Sequence, residues 1–365
     1  MSGMNLSIGT PYSRWLRGGL CLAGVLSAVV AAAEVKGGSY HLEKQVTIKS
    51  SDTGWDYISL DQVRGRIFIA HRKDGLHVYD TGQGRIIKTL AQSAGANTSA
   101  LATEFDVGLV GTTDGHVVVF QISSLKTLSR YKSDTDGFDG ATFDKVSQRF
   151  AMVGETDNVN KMTPVLFFDG ATGNPAGSVM IDSTKVDAPR PDGIGNIVMP
   201  LRDKAQVVKV DARTIKVVAT FPLDDCLQPA ALEMDQAGHR IFVGCRGKEA
   251  SLPVLVVLDA TSGKQLATLP IGRGVAEVMY DAKARLIITA NGEDANMTVI
   301  QQASPDEYRV AETVGTQPMA RTGVMDAETG KVYLVNAQYV IRYDDGRAPT
   351  TRFLPNTFSV LTYTK

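Results

Sequence analysis

Residues 232–272 read LEMDQAGHRIFVGCRGKEASLPVLVVLDATSGKQLATLPIG. Short apolar runs alternate there with turn residues: a strand ending at Met234, a turn on Asp235 and Gly238, a strand Arg240–Cys245, a polar loop, an apolar run over 253–258, a turn on Asp259 and Gly263, and a last strand to Leu269. This punctuation predicts four antiparallel strands in about forty residues. A sheet so small and apolar on both faces has to stack against others like it, so the rest of the chain should supply copies.

It does. The Asp that opens the turn between first and second strands recurs as Asp61, Asp144, Asp192, Asp235, Asp281 and Asp326, with Thr103 standing in once, at intervals of 41 to 48 residues. A second marker, the turn between third and fourth strands, recurs as Asp80-Thr81-Gly82, Asp169-Gly170-Ala171-Thr172-Gly173, Asp211-Ala212-Arg213-Thr214 and Asp259-Ala260-Thr261-Ser262-Gly263. Asp bonds its own backbone in such turns, and Gly tolerates positive φ. Runs such as Val117-Val118-Val119-Phe120 and Val254-Leu255-Val256-Val257 are apolar on both faces, as sheets sandwiched between sheets require. Residues 40–49 look like a fourth strand without its first three, and the seventh unit stops after a third strand near Tyr363. The N-terminal strand should therefore complete the C-terminal unit and hide the sheet edges. The expectation is an all-β, seven-bladed β-propeller with no helix of consequence.

These units, with Arg-headed second strands and Asp-x-x-Thr-Gly-Lys turns, resemble the forty-residue YVTN repeat of exported YncE-type bacterial β-propellers. The resemblance spans residues 40–365 and includes Trp55-Asp56-Tyr57, Phe242-Val243-Gly244-Cys245-Arg246, Ala290-Asn291-Gly292 and Ser304-Pro305-Asp306-Glu307-Tyr308. It departs at Pro189-Arg190-Pro191, where a first strand should pair, and at a long insert over 338–356. It implies an exported propeller and little about activity, because related propellers serve as binding, scaffold or partner subunits.

The chain has 365 residues, 43% hydrophobic and 21% charged, with 35 glycines, which suits a turn-rich globular β protein. Residues 1–33 differ in kind: Arg14 and Arg17 are their only charges, an apolar run covers 20–30, and Ala31-Ala32-Ala33 precedes Glu34. That pattern is read as a cleaved secretory signal, the apolar run being short for a membrane span. The mature protein, 34–365, is then expected to be a single periplasmic or secreted domain with no membrane anchor. It keeps 36 basic against 39 acidic side chains, a net charge of −3, and lacks basic blocks interleaved with aromatics, so nucleic acid is not an expected partner. Cleavage also removes Cys21 and leaves Cys226 and Cys245, an even pair for an oxidising compartment. One precedes the first strand of the fifth blade and the other ends its second, which predicts a disulfide.

First strands of a propeller line its channel, and the loops that enter them and leave second strands share one face. Aligning the units brings Trp55, Asp56, Asp139, Arg190, Gln228, Glu277 and Arg321 to that mouth, with His71, Arg72, Thr112, Glu155, Arg202, Asp203, Arg246, Asn291 and Glu293 on the neighbouring loops. The candidate ligand-binding set is Asp56, His71, Arg72, Asp139, Arg246, Glu277 and Arg321, the arginines acting as carboxylate forks for an anionic or zwitterionic small molecule or a protein partner. The alternative is that these charges pair with one another to hold the blades. His77, His116 and His239 read as surface residues, and residues 134–139 match a calcium loop poorly. With no C-x-x-C-H, nucleophile elbow or dinucleotide fingerprint, no catalytic residue, metal or cofactor is assigned. A binding or scaffold role is expected. Its rivals are a lactonase- or lyase-like enzyme holding a divalent ion on Asp56, Asp139 and Glu277, and a non-catalytic subunit of a periplasmic dehydrogenase.

Overall fold

The computed structural model describes residues 38–365 apart from Thr53, Glu249, Asp344 and Asp345. The expected signal at residues 1–33 lies outside the described residues. What is described is a seven-bladed β-propeller, each blade a four-stranded antiparallel sheet. Blade 1 comprises Ile58–Asp61, Arg66–His71, Gly75–Asp80 and Arg85–Thr89; blades 2 to 6 follow in the same up-and-down order, beginning at Ala96, Phe138, Arg190, Pro229 and Val275. Blade 7 is built from Thr322–Met325, Val332–Asn336 and Ser359–Thr364, and its outer strand is the N-terminal His41–Thr47, paired from His41↔Thr364 to Thr47↔Ser359. The ring therefore closes as expected. The insert of blade 7 forms a hairpin of its own, Tyr339–Arg342 with Thr350–Phe353.

The aspartates that mark the repeat act as local turn clamps. The carboxylates of Asp61, Asp144, Asp235 and Asp281 accept hydrogen bonds from the backbone N–H three residues on, and Asp192 and Asp326 from the one two residues on. The second marker works alike: Gln83, Thr172, Thr214 and Ser262 donate their N–H to Asp80, Asp169, Asp211 and Asp259 at 2.7 to 3.0 Å. A carboxylate that bonds its own turn fixes the hairpin register before distant contacts form.

Between blades the core is a ring of seven apolar interfaces. Strand alternation feeds two of them from each sheet: in blade 5, Ile241, Val243, Val256 and Leu258 pack toward blade 4, while Phe242, Leu255 and Val257 pack toward blade 6. The Cys226–Cys245 disulfide lies fully buried at the blade 4–5 interface with Cα atoms 5.3 Å apart. Trp55 is 1% exposed and wedges blade 1 against blade 7, its ring centroid 4.8 Å from Phe353 and 5.1 Å from Phe358, with Nε1 donating to Thr322 Oγ1. It belongs to the core and not to the channel lining suggested by alignment.

Blade 4 departs from the pattern. Its innermost strand is only Arg190–Pro191, supplemented by an isolated bridge between Val186 and Leu201. Proline has no N–H for the ladder, and the two prolines flanking Arg190 leave a short, irregular inner edge. Residues 184–189, which precede that strand, have no regular structure apart from the Val186 bridge.

Candidate functional site: a charged channel mouth

The inner ends of blades 1 to 4 are joined by a belt of polar side chains. Arg72, at the end of the second strand of blade 1, donates to Asp56 Oδ2 at 3.1 Å and through Nε to Asn97 Oδ1 at 2.9 Å. Asn97 in turn donates to the Phe138 carbonyl at 2.9 Å, linking blades 1, 2 and 3. Lys185, on the irregular loop of blade 4, bonds Asp139 of blade 3 and lies 4.0 Å from Asp187, whose other oxygen meets Arg202 at 2.7 Å. Further along, Arg190 reaches two carboxylates, Glu233 of blade 5 at 3.2 Å and Glu277 of blade 6 at 2.5 Å. These three line a cavity of about 330 Å³ together with Leu60, Thr142 and Met325.

Burial decides the electrostatics. Glu277 is 2% exposed, and desolvation outweighs Arg190 to lift its carboxyl to about 7. Desolvation likewise lifts Asp187 to about 6 despite Arg202. Asp56 keeps 19% of its side chain exposed to the channel, yet burial and then the Asp139 charge hold it above the usual carboxylate range against Arg321 and Arg72. The Tyr57 hydroxyl is pushed far up by burial and then by Asp139, Asp187, Asp56 and Glu277, which places this phenol amid the channel carboxylates.

Each channel carboxylate named here has a cationic partner, whereas Arg246 and Arg321 make no ion-pair contact: among the described residues, no carboxylate oxygen lies within 4.0 Å of either. Arg246 donates from Nε to the Val275 carbonyl at 2.8 Å, and burial, then Arg202, push its guanidinium below its ordinary value against the attraction of Asp187. The backbone of Arg321 approaches blade 6 closely: its Cβ would lie 2.7 Å from a Cβ placed on Gly292, so only glycine fits there.

Of the sequence-derived set, the structure gathers Asp56, Arg72, Asp139, Arg246, Glu277 and Arg321 around the channel. His71 is 1% exposed and turned away, its ring stacked on His77 and tilted against Phe358 at the blade 1–7 interface, with Nδ1 2.7 Å from Asp74 Oδ2. His77 is 7% exposed, so it is a core residue and not a surface one; desolvation, then His71, lower it to about 4. The carboxylates imagined for a divalent ion, Asp56, Asp139 and Glu277, are each taken by Arg72, Lys185 and Arg190. At residues 134–139 the Lys132 ammonium caps the Thr135 carbonyl at 2.5 Å, so that loop carries its own cation. Tyr57, Asn97, Lys185, Asp187 and Glu233 escaped the sequence reading. The one local signal was a Lys-x-Asp placed just before Pro-Arg-Pro.

No family model matches this chain, and no curated protein matches it. Solved structures do. The WD40 repeats of RRP9 superpose with a TM-score of 0.70 at 9% identity, covering 89% of this chain and 100% of theirs. U3-55K gives 0.69 at 10% identity over 87% of this chain and 98% of its own. A chain of the Mitotic Checkpoint Complex gives 0.70 at 11% identity over 97% and 99%. At such identity the likeness establishes the propeller fold and nothing narrower.

Proposed function

We propose that this chain is an exported binding or scaffold propeller of the YVTN-repeat, YncE-like kind, and that it docks a carboxylate-bearing ligand or partner segment at the channel mouth between Arg246 and Arg321. The observation that carries this reading is the imbalance at the mouth: the channel carboxylates are matched to cations, while Arg246 and Arg321 have no carboxylate within ion-pair distance among the described residues. A partly desolvated guanidinium gains most from a planar anion that it can grip through two parallel hydrogen bonds. Arg72 is spent on Asp56 and Asn97, so it serves the belt and not the ligand. Export is supported by the composition of residues 1–33 and by a buried disulfide, which persists in oxidising compartments. A protein partner suits the fold, since one of the similar structures is a chain of an assembly.

The test is thermal unfolding of the wild type and of R246A/R321A in the presence of a panel of mono-, di- and tricarboxylates and peptides ending in a free carboxylate. A ligand at 100 times its Kd stabilises the wild type by about 2.7 kcal/mol. At least one panel member should do so, and the double variant should not respond. A silent panel, or equal responses from both proteins, rejects this assignment.

A further inference from the structure

The first hairpin of blade 1 carries a second chemistry, away from the channel. His71 ends the strand Arg66–His71, a single 3-10 turn spans Arg72–Asp74, and His77 is the third residue of Gly75–Asp80. The ladder pairs Ile69 with His77 and His71 with Gly75. Residue 69 shares a sheet face with residue 71 and with its cross-strand partner 77, so both imidazoles point to the same side as diagonal neighbours. Their rings stack with centroids 5.6 Å apart. The turn then folds Asp74 back over that face, where Oδ2 meets His71 Nδ1 at 2.7 Å and accepts from the Ser51 N–H at 2.7 Å.

We infer that His71, Asp74 and His77 form a binding site for a divalent transition-metal ion of the zinc class, reached through the groove between blade 1 and the N-terminal strand. The spacing H-x-x-D-x-x-H puts one ligand atom from each residue within 4.8 Å of the other two, the span that a single ion can bridge. Two imidazoles and one carboxylate suit zinc and its neighbours and not calcium or magnesium, which take oxygen ligands. His77 is nine-tenths buried; its Nδ1 is fixed by Thr89 Oγ1 at 2.8 Å, and its Nε2 is buried with no hydrogen-bond partner among the described residues. A hydroxyl that fixes one ring nitrogen sets the tautomer and orientation of the other, as outer partners do at metal-binding histidines. Asp74 and His77 both open on a groove of about 860 Å³, lined also by Ser50, Ser51, Arg85 and Thr89. Three protein ligands leave a coordination position for water or a small donor from that groove. Binding would replace the hydrogen bond between His71 Nδ1 and Asp74 Oδ2 with two bonds to the ion, so His71 must present that nitrogen unprotonated.

The experiment is zinc titration by calorimetry, with native mass spectrometry for stoichiometry, on protein purified without a histidine tag and stripped with chelator. Wild type should take one zinc per chain. H77Q and D74N should each weaken binding by at least about 100-fold, whereas H116Q, which alters a histidine paired with Asp114 elsewhere, should leave it unchanged. Cobalt(II) loaded in place of zinc should give the visible absorption of a four-coordinate nitrogen and oxygen site, lost in H77Q. Should circular dichroism find H77Q unfolded, D74N, whose side chain is 22% exposed, decides the matter. The proposal falls if the wild type takes no zinc, or if folded H77Q or D74N takes it as tightly as the wild type does. R246A/R321A should bind zinc normally, so failure here is separable from failure of the channel-mouth reading.

Discussion

Replacing Glu277 with glutamine should flatten the pH dependence of stability in a way that can be worked out beforehand. The folded carboxyl keeps its proton up to about pH 7, whereas an ordinary glutamate releases it near 4.5. Between those values the folded state holds a proton that the unfolded state has lost, so stability falls as pH rises. The contribution is full below 4.5 and gone above 7. A difference of two and a half pH units at about 1.36 kcal/mol each comes to roughly 3 kcal/mol. The amide of the E277Q variant keeps the shape and still offers Arg190 an oxygen, but it never ionises. Urea unfolding of both proteins from pH 4 to pH 8 should therefore give curves that meet near pH 4 and separate until E277Q is more stable by about 3 kcal/mol at pH 8. Asp187, raised to about 6, adds a fall of the same sign in both proteins, and His77, lowered to about 4, opposes it at the acid end; both cancel in the difference. Parallel curves would refute the argument, because they would mean that the Arg190 contact offsets the burial of Glu277 in full.

Removing the Cys226–Cys245 bridge by C226A/C245A frees a loop in the unfolded chain and should cost about 3 kcal/mol on the chain-entropy model, read as a lower urea midpoint; a loss under about 1 kcal/mol would show that the blade 4–5 core fixes this loop unaided. Trp55→Ala removes the wedge between the first and last blades and should cost about 3 to 5 kcal/mol. A milder loss would mean that Phe353 and Phe358 collapse into the space, which limited proteolysis of the 338–356 insert would detect as protection.

The repeat was legible because its markers act within a few residues: Asp235 bonds Gly238, and Asp259 bonds Ser262, so chemistry and spacing sit in one stretch of sequence. The channel was legible only as a set of first-strand charges. Who pairs with whom depends on contacts such as Arg190 to Glu277, 87 residues apart, and Lys185 to Asp139, 46 apart, which no local pattern encodes. Tyr57 and Asp187 were missed for the same reason, since their importance lies in the charges that converge on them from other blades. His77 looked like a surface residue beside a glycine turn. It is buried because its ring stacks on His71, which in turn packs against Phe358, while Thr89 holds its Nδ1. Trp55 was misplaced because the register that puts Asp56 in the channel turns its neighbour into the core.

The pairing of His41–Thr47 with Ser359–Thr364 sets an order of events during folding. Of the described strands, His41–Thr47 is made before the others and has no sheet to join until Ser359–Thr364 arrives, some three hundred residues later. Contacts of such long range form slowly, and until they form the six completed blades stand as an open arc with an uncovered flank at each end. A chain of this design is most vulnerable to aggregation and proteolysis just before completion. Deleting a few residues from His41–Thr47 or from Ser359–Thr364 should thus do more harm than deleting as many from the exposed hairpin of blade 7.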